Sequence, residues 1–82
     1  MNATQIKELA EEIKAAGFRP LVVNSGGWST VGVSAENGDN AADYYGEFRG
    51  GYPWINPKLE AIAEQRGGYW EWENAGEIIF NS

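Results

Sequence analysis

The sequence contains neither cysteine nor histidine. Without cysteine the chain has no disulfide bonds, thiolate nucleophiles or thiolate metal ligands, so packing alone must stabilise it. Without histidine it lacks Ser-His catalysis, imidazole acid–base chemistry and histidine-based metal sites. The glycine pairs at 50–51 and 67–68 lack the spacing and the following Lys of a phosphate-binding loop. The sequence therefore predicts no catalytic residue, no metal site and no cofactor, and a protein that is not an enzyme.

Basic residues and long apolar runs are also scarce. Six Lys and Arg stand against 12 Asp and Glu, a formal net charge of −6. This balance argues against direct binding to a nucleic-acid backbone and is compatible with a basic protein partner. No apolar run approaches the roughly 18 residues of a membrane span, and the N-terminus lacks the pattern of a signal peptide. We expect one compact cytoplasmic domain over residues 1–82 that does not bind membranes.

Two segments have the periodicity and end signals of helices. Residues Asn2 to Ala16 carry apolar side chains at steps of three and four, with Asn2 and Gln5 as a capping box and Gly17 as the stop. A second helix begins at Asn56-Pro57, as N-cap and first-turn proline, and ends at the glycine pair 67–68.

Strand patterns follow the first helix. A β-rich run at Leu21–Asn24 and an alternating segment at Trp28–Glu36 predict two strands. Asn37-Gly38 favours a type I′ hairpin turn, which needs positive φ at both central residues, and so predicts a third strand over Ala41–Phe48. That turn would pair Val33 with Ala42 and Val31 with Tyr44. Tyr44, Gly46 and Phe48 would face the core, and Asp43, Tyr45 and Glu47 the solvent.

The C-terminal segment predicts a second hairpin, formed by 69–73 and 77–80. A three-residue loop, Asn74-Ala75-Gly76, with a left-handed last position would pair Trp72 with Ile78 and Trp70 with Phe80 on the core face. The opposite face would carry Glu71, Glu73 and Glu77, with Glu73 directly across from Glu77.

Together these elements predict the order α-β-β-β-α-β-β. The expected fold class is α+β, a two-layer domain in which an antiparallel sheet of about five strands has both helices packed on one face. The order can also be interpreted as two helix-hairpin units with Asp39 to Asn56 inserted between them.

The segment from Asp43 to Pro57 contains five aromatic residues, more than a simple connection usually has. Two interpretations are open: the rings complete a small core, or some stand exposed as anchors of a binding surface. We expect Trp54 to fold back towards the second helix. Tyr45 and Tyr52 are expected to be exposed, because phenols tolerate a wet edge. Arg49 lies beside these rings, and arginine is enriched with aromatics at interface hot spots.

The carboxylates of the second hairpin also allow more than one interpretation. Glu71, Glu73 and Glu77 could attract a basic partner, bind a cation or act as an acid–base pair, or they could be a solvated edge that deters strand pairing. A glycosidase needs a deep cleft, which a domain of this size can hardly build. Around the Asn37-Gly38 turn, Glu36, Asp39 and Asp43 lack the twelve-residue spacing of a calcium loop.

Three runs in the C-terminal half, 43–47, 50–55 and 70–74, resemble runs in short uncharacterised proteins encoded by bacteriophages and prophages. The resemblance assigns no site residue. It implies that the chain binds and blocks a host protein, as small acidic anti-restriction and anti-CRISPR inhibitors do. The modest charge excess and the many aromatics argue against simple imitation of nucleic-acid charge.

The sequence therefore predicts a small acidic module that docks a protein partner with a basic surface, such as a phage-type inhibitor of a host nucleic-acid-binding protein. The residues predicted to contact the partner are Tyr45, Glu47, Arg49, Tyr52, Trp54, Glu71, Glu73 and Glu77.

The alternative is a small-ligand or carbohydrate-binding domain. In it Tyr45, Tyr52 and Trp54 would stack on the ligand, and Asp43 or Glu47 would accept its hydrogen bonds. An edge strand or an exposed tryptophan is also compatible with a homodimer interface.

Overall fold

The computed structural model describes residues 1–46 and 51–82. In order, its elements are helix α1 (Ala3–Ala15), strands β1 (Pro20–Ser25), β2 (Trp28–Ser34), β3 (Ala42–Asp43) and β4 (Trp54–Ile55), helix α2 (Pro57–Gln65), and strands β5 (Tyr69–Asn74) and β6 (Glu77–Asn81). A four-stranded antiparallel sheet has the order β1-β2-β6-β5, and β3 and β4 form a separate two-stranded ribbon. Both helices pack on the sheet, which confirms the predicted α+β class.

Helix α1 begins and ends where its sequence predicts. The Asn2 side chain accepts a hydrogen bond from Gln5 N at 2.8 Å, and the Gln5 side chain accepts one from Asn2 N at 2.9 Å. Gly17 has a φ of 98°, and Phe18 N donates back to the Ile13 carbonyl at 3.1 Å. Because Gly17 tolerates the left-handed conformation, the chain can reverse there and bury Phe18.

Helix α2 is shorter, with nine residues against 13 in α1. The Asn56 side chain accepts a hydrogen bond from Lys58 N at 2.9 Å, and Pro57 occupies the first helical position, as predicted. Within the described ranges, no helix has the length and apolar character needed to cross a membrane.

The predicted pairing of a third strand, Ala41–Phe48, with β2 is wrong. Of the described residues in that range, Ala42–Asp43 form a strand, and this strand pairs with Trp54–Ile55. Strand β2 ends at Ser34, and its second neighbour is β6, so that Val33 pairs with Ile78 instead of Ala42. Val31 pairs with Val22 on the β1 side, and Tyr44 lies outside this sheet. Burial explains the outcome, because Ile78 and its neighbours on β6 offer much larger apolar side chains than Ala42 does.

The type I′ turn predicted at Asn37-Gly38 does not form, and a turn of this type lies between β1 and β2. Gly26 and Gly27, between β1 and β2, have φ values of 56° and 81°, as a type I′ turn requires. In Asn37-Gly38 only Gly38 has a positive φ, so this pair bends the chain without forming the hairpin.

The β5–β6 hairpin confirms the predicted pairs Trp72–Ile78 and Trp70–Phe80. Its loop differs from the prediction. A bulge lies between Trp72 and Asn74, so Asn74, not Glu73, stands opposite Glu77. The Asn74 side chain accepts a hydrogen bond from Gly76 N at 2.8 Å, and Gly76 does not adopt a positive φ. This side chain closes the turn itself, so no left-handed glycine is needed.

The order helix-strand-strand occurs twice, as α1-β1-β2 and α2-β5-β6, with residues 35–56 inserted between the two units. The second strands of the units, β2 and β6, pair at the centre of the sheet. The chain therefore leaves the sheet at the end of β2, runs through the inserted segment and then enters α2.

The core lies between the helices and one face of the sheet. Trp70 is buried there and donates its indole N–H to the Leu59 carbonyl at 2.7 Å. Ile79, on the alternate face of β6, packs beside Gly32 and Val23 on the side away from the helices. Side chains that fill the core are Leu9, Ile13, Phe18, Val31, Val33, Ala41, Ala42, Leu59, Ile62, Ala63, Trp70, Ile78 and Phe80.

Candidate functional site

The inserted segment is held at its base. Asn56 N donates to the Ala41 carbonyl at 2.8 Å, and Asn56 Nδ2 donates to the Asn40 carbonyl at 3.1 Å. The β3–β4 ribbon adds the pairs Ala42–Ile55 and Asp43–Trp54. Since Ala41 and Ala42 are buried, the ribbon is part of the core, and the chain beyond Asp43 leads outwards.

Three aromatic rings extend from the core to the surface; we call Trp72, Tyr44 and Tyr45 the ring row. Tyr44 meets Trp72 edge-to-face with ring centroids 5.3 Å apart, and Tyr45 meets Tyr44 in the same way at 5.4 Å. Trp72 packs against the core, whereas Tyr44 is 41% and Tyr45 67% exposed. The prediction that Tyr44 faces the core is wrong, because the ribbon turns it onto the edge of Trp72 instead.

A tight turn at Gly46 continues the exposed part of the segment. Gly46 N donates to Asp43 Oδ1 at 3.0 Å, and Gly51 N donates to the Gly46 carbonyl at 2.9 Å. Gly46 is buried, has a φ of 59°, and faces the main chain of Tyr52 so closely that a side chain would collide with it. The Tyr52 side chain is 75% exposed, so the predicted exposure of Tyr45 and Tyr52 is confirmed.

A cavity of about 390 Å³ lies beside the ring row. Tyr44 and Tyr45 form one wall, and Ala75 from the β5–β6 loop and the turn after β2 form the others. Glu36 and Asp43 both line it. Hydrogen bonds fix the turn, because Ala35 N donates to the Gly76 carbonyl at 2.8 Å and Glu36 N donates to Ser34 Oγ at 3.1 Å. The cavity thus combines exposed aromatic surface with two carboxylates.

The carboxylates of the second hairpin lie on a different face from the ring row. Glu71 stands opposite Ile79 and accepts a hydrogen bond from Asn81 Nδ2 at 3.3 Å. Glu77 stands opposite Ser34. Because side chains alternate along a strand, Glu71 and Glu77 point away from the helices, whereas Trp72 points towards them.

The other predicted contact residues have mixed positions. Glu73 is exposed in the bulge, and Trp54 is half-buried in the ribbon opposite Asp43. Glu47 and Arg49 lie outside the described residues, as does Phe48.

Tyr44 and Glu36 line the cavity but are not among the residues that the sequence predicts to contact a partner. The sequence identifies Glu36 only as a carboxylate near the Asn37-Gly38 turn, and it predicts that Tyr44 faces the core. The Asp43–Trp54 pairing turns Tyr44 onto Trp72. A ribbon of two-residue strands leaves no periodicity in the sequence, so this position of Tyr44 could not be predicted.

Comparison of this chain with sequence models of protein families, with curated proteins and with solved structures found no match. The resemblance to short phage proteins therefore stays a prediction.

Proposed function

We propose that this protein is a non-enzymatic binding module for a protein partner with a basic surface. The observation that carries the proposal is Tyr45, a largely exposed ring at the mouth of a cavity that Glu36 and Asp43 line. Exposed rigid aromatics are the residues that most often anchor protein interfaces.

The ring row is suited to binding because each ring already contacts the next in the unbound chain. Trp72 supports Tyr44, and Tyr44 supports Tyr45, each through an edge-to-face contact. A side chain that is already ordered loses less conformational entropy on binding. The same rings can accept a cation against their faces.

The charges around the row favour a basic partner. Glu36 and Asp43 are within the cavity, where a lysine or arginine of the partner could pair with a carboxylate while contacting Tyr45. Glu71 and Glu73, on the neighbouring edge strand, and the overall charge of −6 add long-range attraction.

A pull-down with immobilised full-length protein tests the proposal. Proteins from the source cell that bind at low salt are quantified for wild type, Tyr45→Ala and Asp43→Asn; the asparagine keeps an acceptor for Gly46 N. Tyr69→Ala is the matched control, an exposed tyrosine on β5 outside the cavity lining. We expect the same basic proteins to be lost from both site variants and kept by the control. Identical sets from all variants would contradict the proposal.

The narrower hypothesis of a phage-type inhibitor concerns the identity of that partner. It predicts that a captured partner is itself a nucleic-acid-binding protein, and that added duplex DNA competes with this chain for it. A partner that binds DNA and this chain at the same time, without competition, would count against inhibition by occupation of the nucleic-acid site.

A second candidate function is binding of a small ligand. The cavity volume falls at the lower end of the roughly 300–1,000 Å³ typical of ligand pockets. In this case Tyr45 stacks on the ligand and Asp43 accepts a hydrogen bond. Thermal-shift screening with sugars and polar metabolites separates the two functions, because a ligand raises the melting temperature without any partner protein. The increase should vanish in Tyr45→Ala.

A further inference from the structure

Strand β1 is an edge of the sheet that lacks the usual protection. Its six residues, Pro20–Ser25, pair with β2 in one unbroken register and include no charged side chain. The other edge, β5, carries Glu71 and Glu73 and has a bulge. Charges and bulges are the features by which proteins prevent unwanted strand pairing. Among the residues of β1 itself, Pro20 at one end is the only such protection.

The turn between β1 and β2 determines which N–H and C=O groups of β1 point away from β2. Gly26 and Gly27 form a two-residue turn, which makes Ser25 and Trp28 a hydrogen-bonded pair. Bonds to β2 then recur at alternate residues, so the N–H and C=O groups of Val22 and Asn24 point away from β2. Within residues 1–46 and 51–82, β1 pairs with β2 on one side and with no strand on the other. These outward groups suit an added antiparallel strand.

Strand β1 also exposes an apolar side chain on each face of the sheet. Leu21 is 43% and Val22 59% exposed, and they point to opposite faces. An added strand would therefore cover apolar surface as well as complete hydrogen bonds.

We propose that β1 is the interface for a second copy of this chain. Two β1 strands pair antiparallel about a two-fold axis at Val22, and the two four-stranded sheets become one continuous sheet. Val22 exchanges both main-chain hydrogen bonds with Val22 of the second copy. Asn24 N–H donates to the Pro20 carbonyl of the second copy, so the missing N–H of proline falls at the end of the ladder.

Side chains and charge both favour this occupant. In this register Leu21 stands opposite Val23 of the second copy, so the central cross-strand pairs are all apolar. The basic partner proposed above would find no carboxylate on β1. A second copy instead brings an equally uncharged strand, and two chains of net charge −6 can approach there without placing like charges opposite each other.

The interface is small, and the cavity stays free. A stable interface usually buries roughly 1,200–2,000 Å², more than one pair of short strands covers, so we expect a dimer that dissociates on dilution. The cavity is lined by residues from 35–45 and by Ala75 of the β5–β6 loop, and none of these lining residues belongs to β1. Dimer formation and partner binding can therefore fail independently.

Sedimentation equilibrium of the full chain, from about micromolar to about millimolar concentration, tests the dimer. We expect the dimer fraction to rise with concentration, and Val22→Lys to weaken dimerisation at least about tenfold, because it places two lysines on the two-fold axis. Tyr69→Lys makes the same charge change on β5 and should dimerise like wild type. A wild-type monomer at every concentration would overturn the proposal, as would a Val22→Lys dimer as stable as that of wild type.

Cysteine cross-linking tests the register, since the natural chain has no cysteine. Hydrogen-bonded antiparallel partners have Cα atoms about 5.5 Å apart, within disulfide range. Val22→Cys should therefore form a cross-linked dimer under mild oxidation. Leu21→Cys should do so at least about tenfold more slowly, because it faces Val23 of the second copy instead of itself. Circular dichroism verifies that both variants are folded, and equal rates of cross-linking would contradict the two-fold axis at Val22.

Discussion

The indole N–H of Trp70 donates a 2.7 Å hydrogen bond to the main-chain carbonyl of Leu59 and so joins strand β5 to helix α2. Both residues are buried, and the Trp70 ring also meets Phe80 edge-to-face at 5.9 Å. A buried tryptophan needs a partner for its N–H, and the carbonyl supplies it. Trp70 thus contributes both apolar contact and a specific polar contact to the core.

Replacing Trp70 by phenylalanine should lower the free energy of unfolding by about 2–4 kcal/mol, because it removes this hydrogen bond and leaves a cavity. Urea unfolding followed by far-UV circular dichroism measures the change. Trp28→Phe is the matched control at an exposed position, with an expected change within about 0.5 kcal/mol. Equal losses in the two variants would contradict the role of Trp70.

Gly32→Ala should destabilise the protein by about 1–3 kcal/mol, although alanine usually suits a strand better than glycine. A Cβ atom at this position would lie 3.0 Å from a Val23 methyl group and 3.1 Å from the Ile78 carbonyl oxygen. Thermal or urea unfolding measures the loss. Gly76→Ala is the control, because the three atoms nearest to its Cβ would belong to the Glu36 carboxylate, at the end of a flexible side chain. A Gly32→Ala variant as stable as wild type would show that the sheet can widen there.

Comparison of Gly46→Ala with Gly51→Ala tests whether the Tyr52 main chain lies close to Gly46. Both glycines have positive φ, so both substitutions incur backbone strain of about 1–2 kcal/mol. At Gly46 a Cβ would collide with the main chain of Tyr52, whereas at Gly51 no atom of the described residues beyond its chain neighbours lies within 4 Å of an added Cβ. We expect Gly46→Ala to be the less stable variant and to shift the NMR signals of Tyr44 and Trp72. Similar stability and spectra would contradict a tight turn at Gly46.

The ion pair between Arg66 and Glu12 should contribute little to stability. Arg66 Nη2 and Nε approach Glu12 Oε2 at 2.6 and 3.0 Å and connect the end of α2 to α1, but both side chains are partly exposed. A double-mutant cycle with Glu12→Gln and Arg66→Gln should give a coupling of about 1 kcal/mol or less, falling as salt is added. A coupling that salt does not reduce would mean that the pair is shielded from solvent.

Local signals explain the part of the fold that the sequence predicts. The capping box of α1 depends only on Asn2 and Gln5, and its stop depends on Gly17. The register of the second hairpin follows from alternation, because Trp70 and Trp72 must both be covered on the same face. In each case the residues that decide the structure are close in sequence.

The error at the third strand has a different cause. Asn37-Gly38 has a real local preference for a tight turn. However, only one strand can pair with β2 on the side away from β1, so Val33 can pair there with Ala42 or with Ile78 but not with both. The distant Ile78 offers more apolar area than Ala42 does, and burial outweighs the turn. The cavity and the ring row depend on this long-range choice, so their geometry could not be predicted.

The central pairing of β2 with β6 also has a consequence for folding kinetics. Each helix and hairpin involves residues near one another in the chain, whereas Val33 and Ile78 are separated by the whole inserted segment. Closing that long loop costs chain entropy that the local hairpins do not. The meeting of the two halves is therefore the step expected to limit the folding rate, and lengthening the insertion should slow folding while leaving the unfolding rate nearly constant.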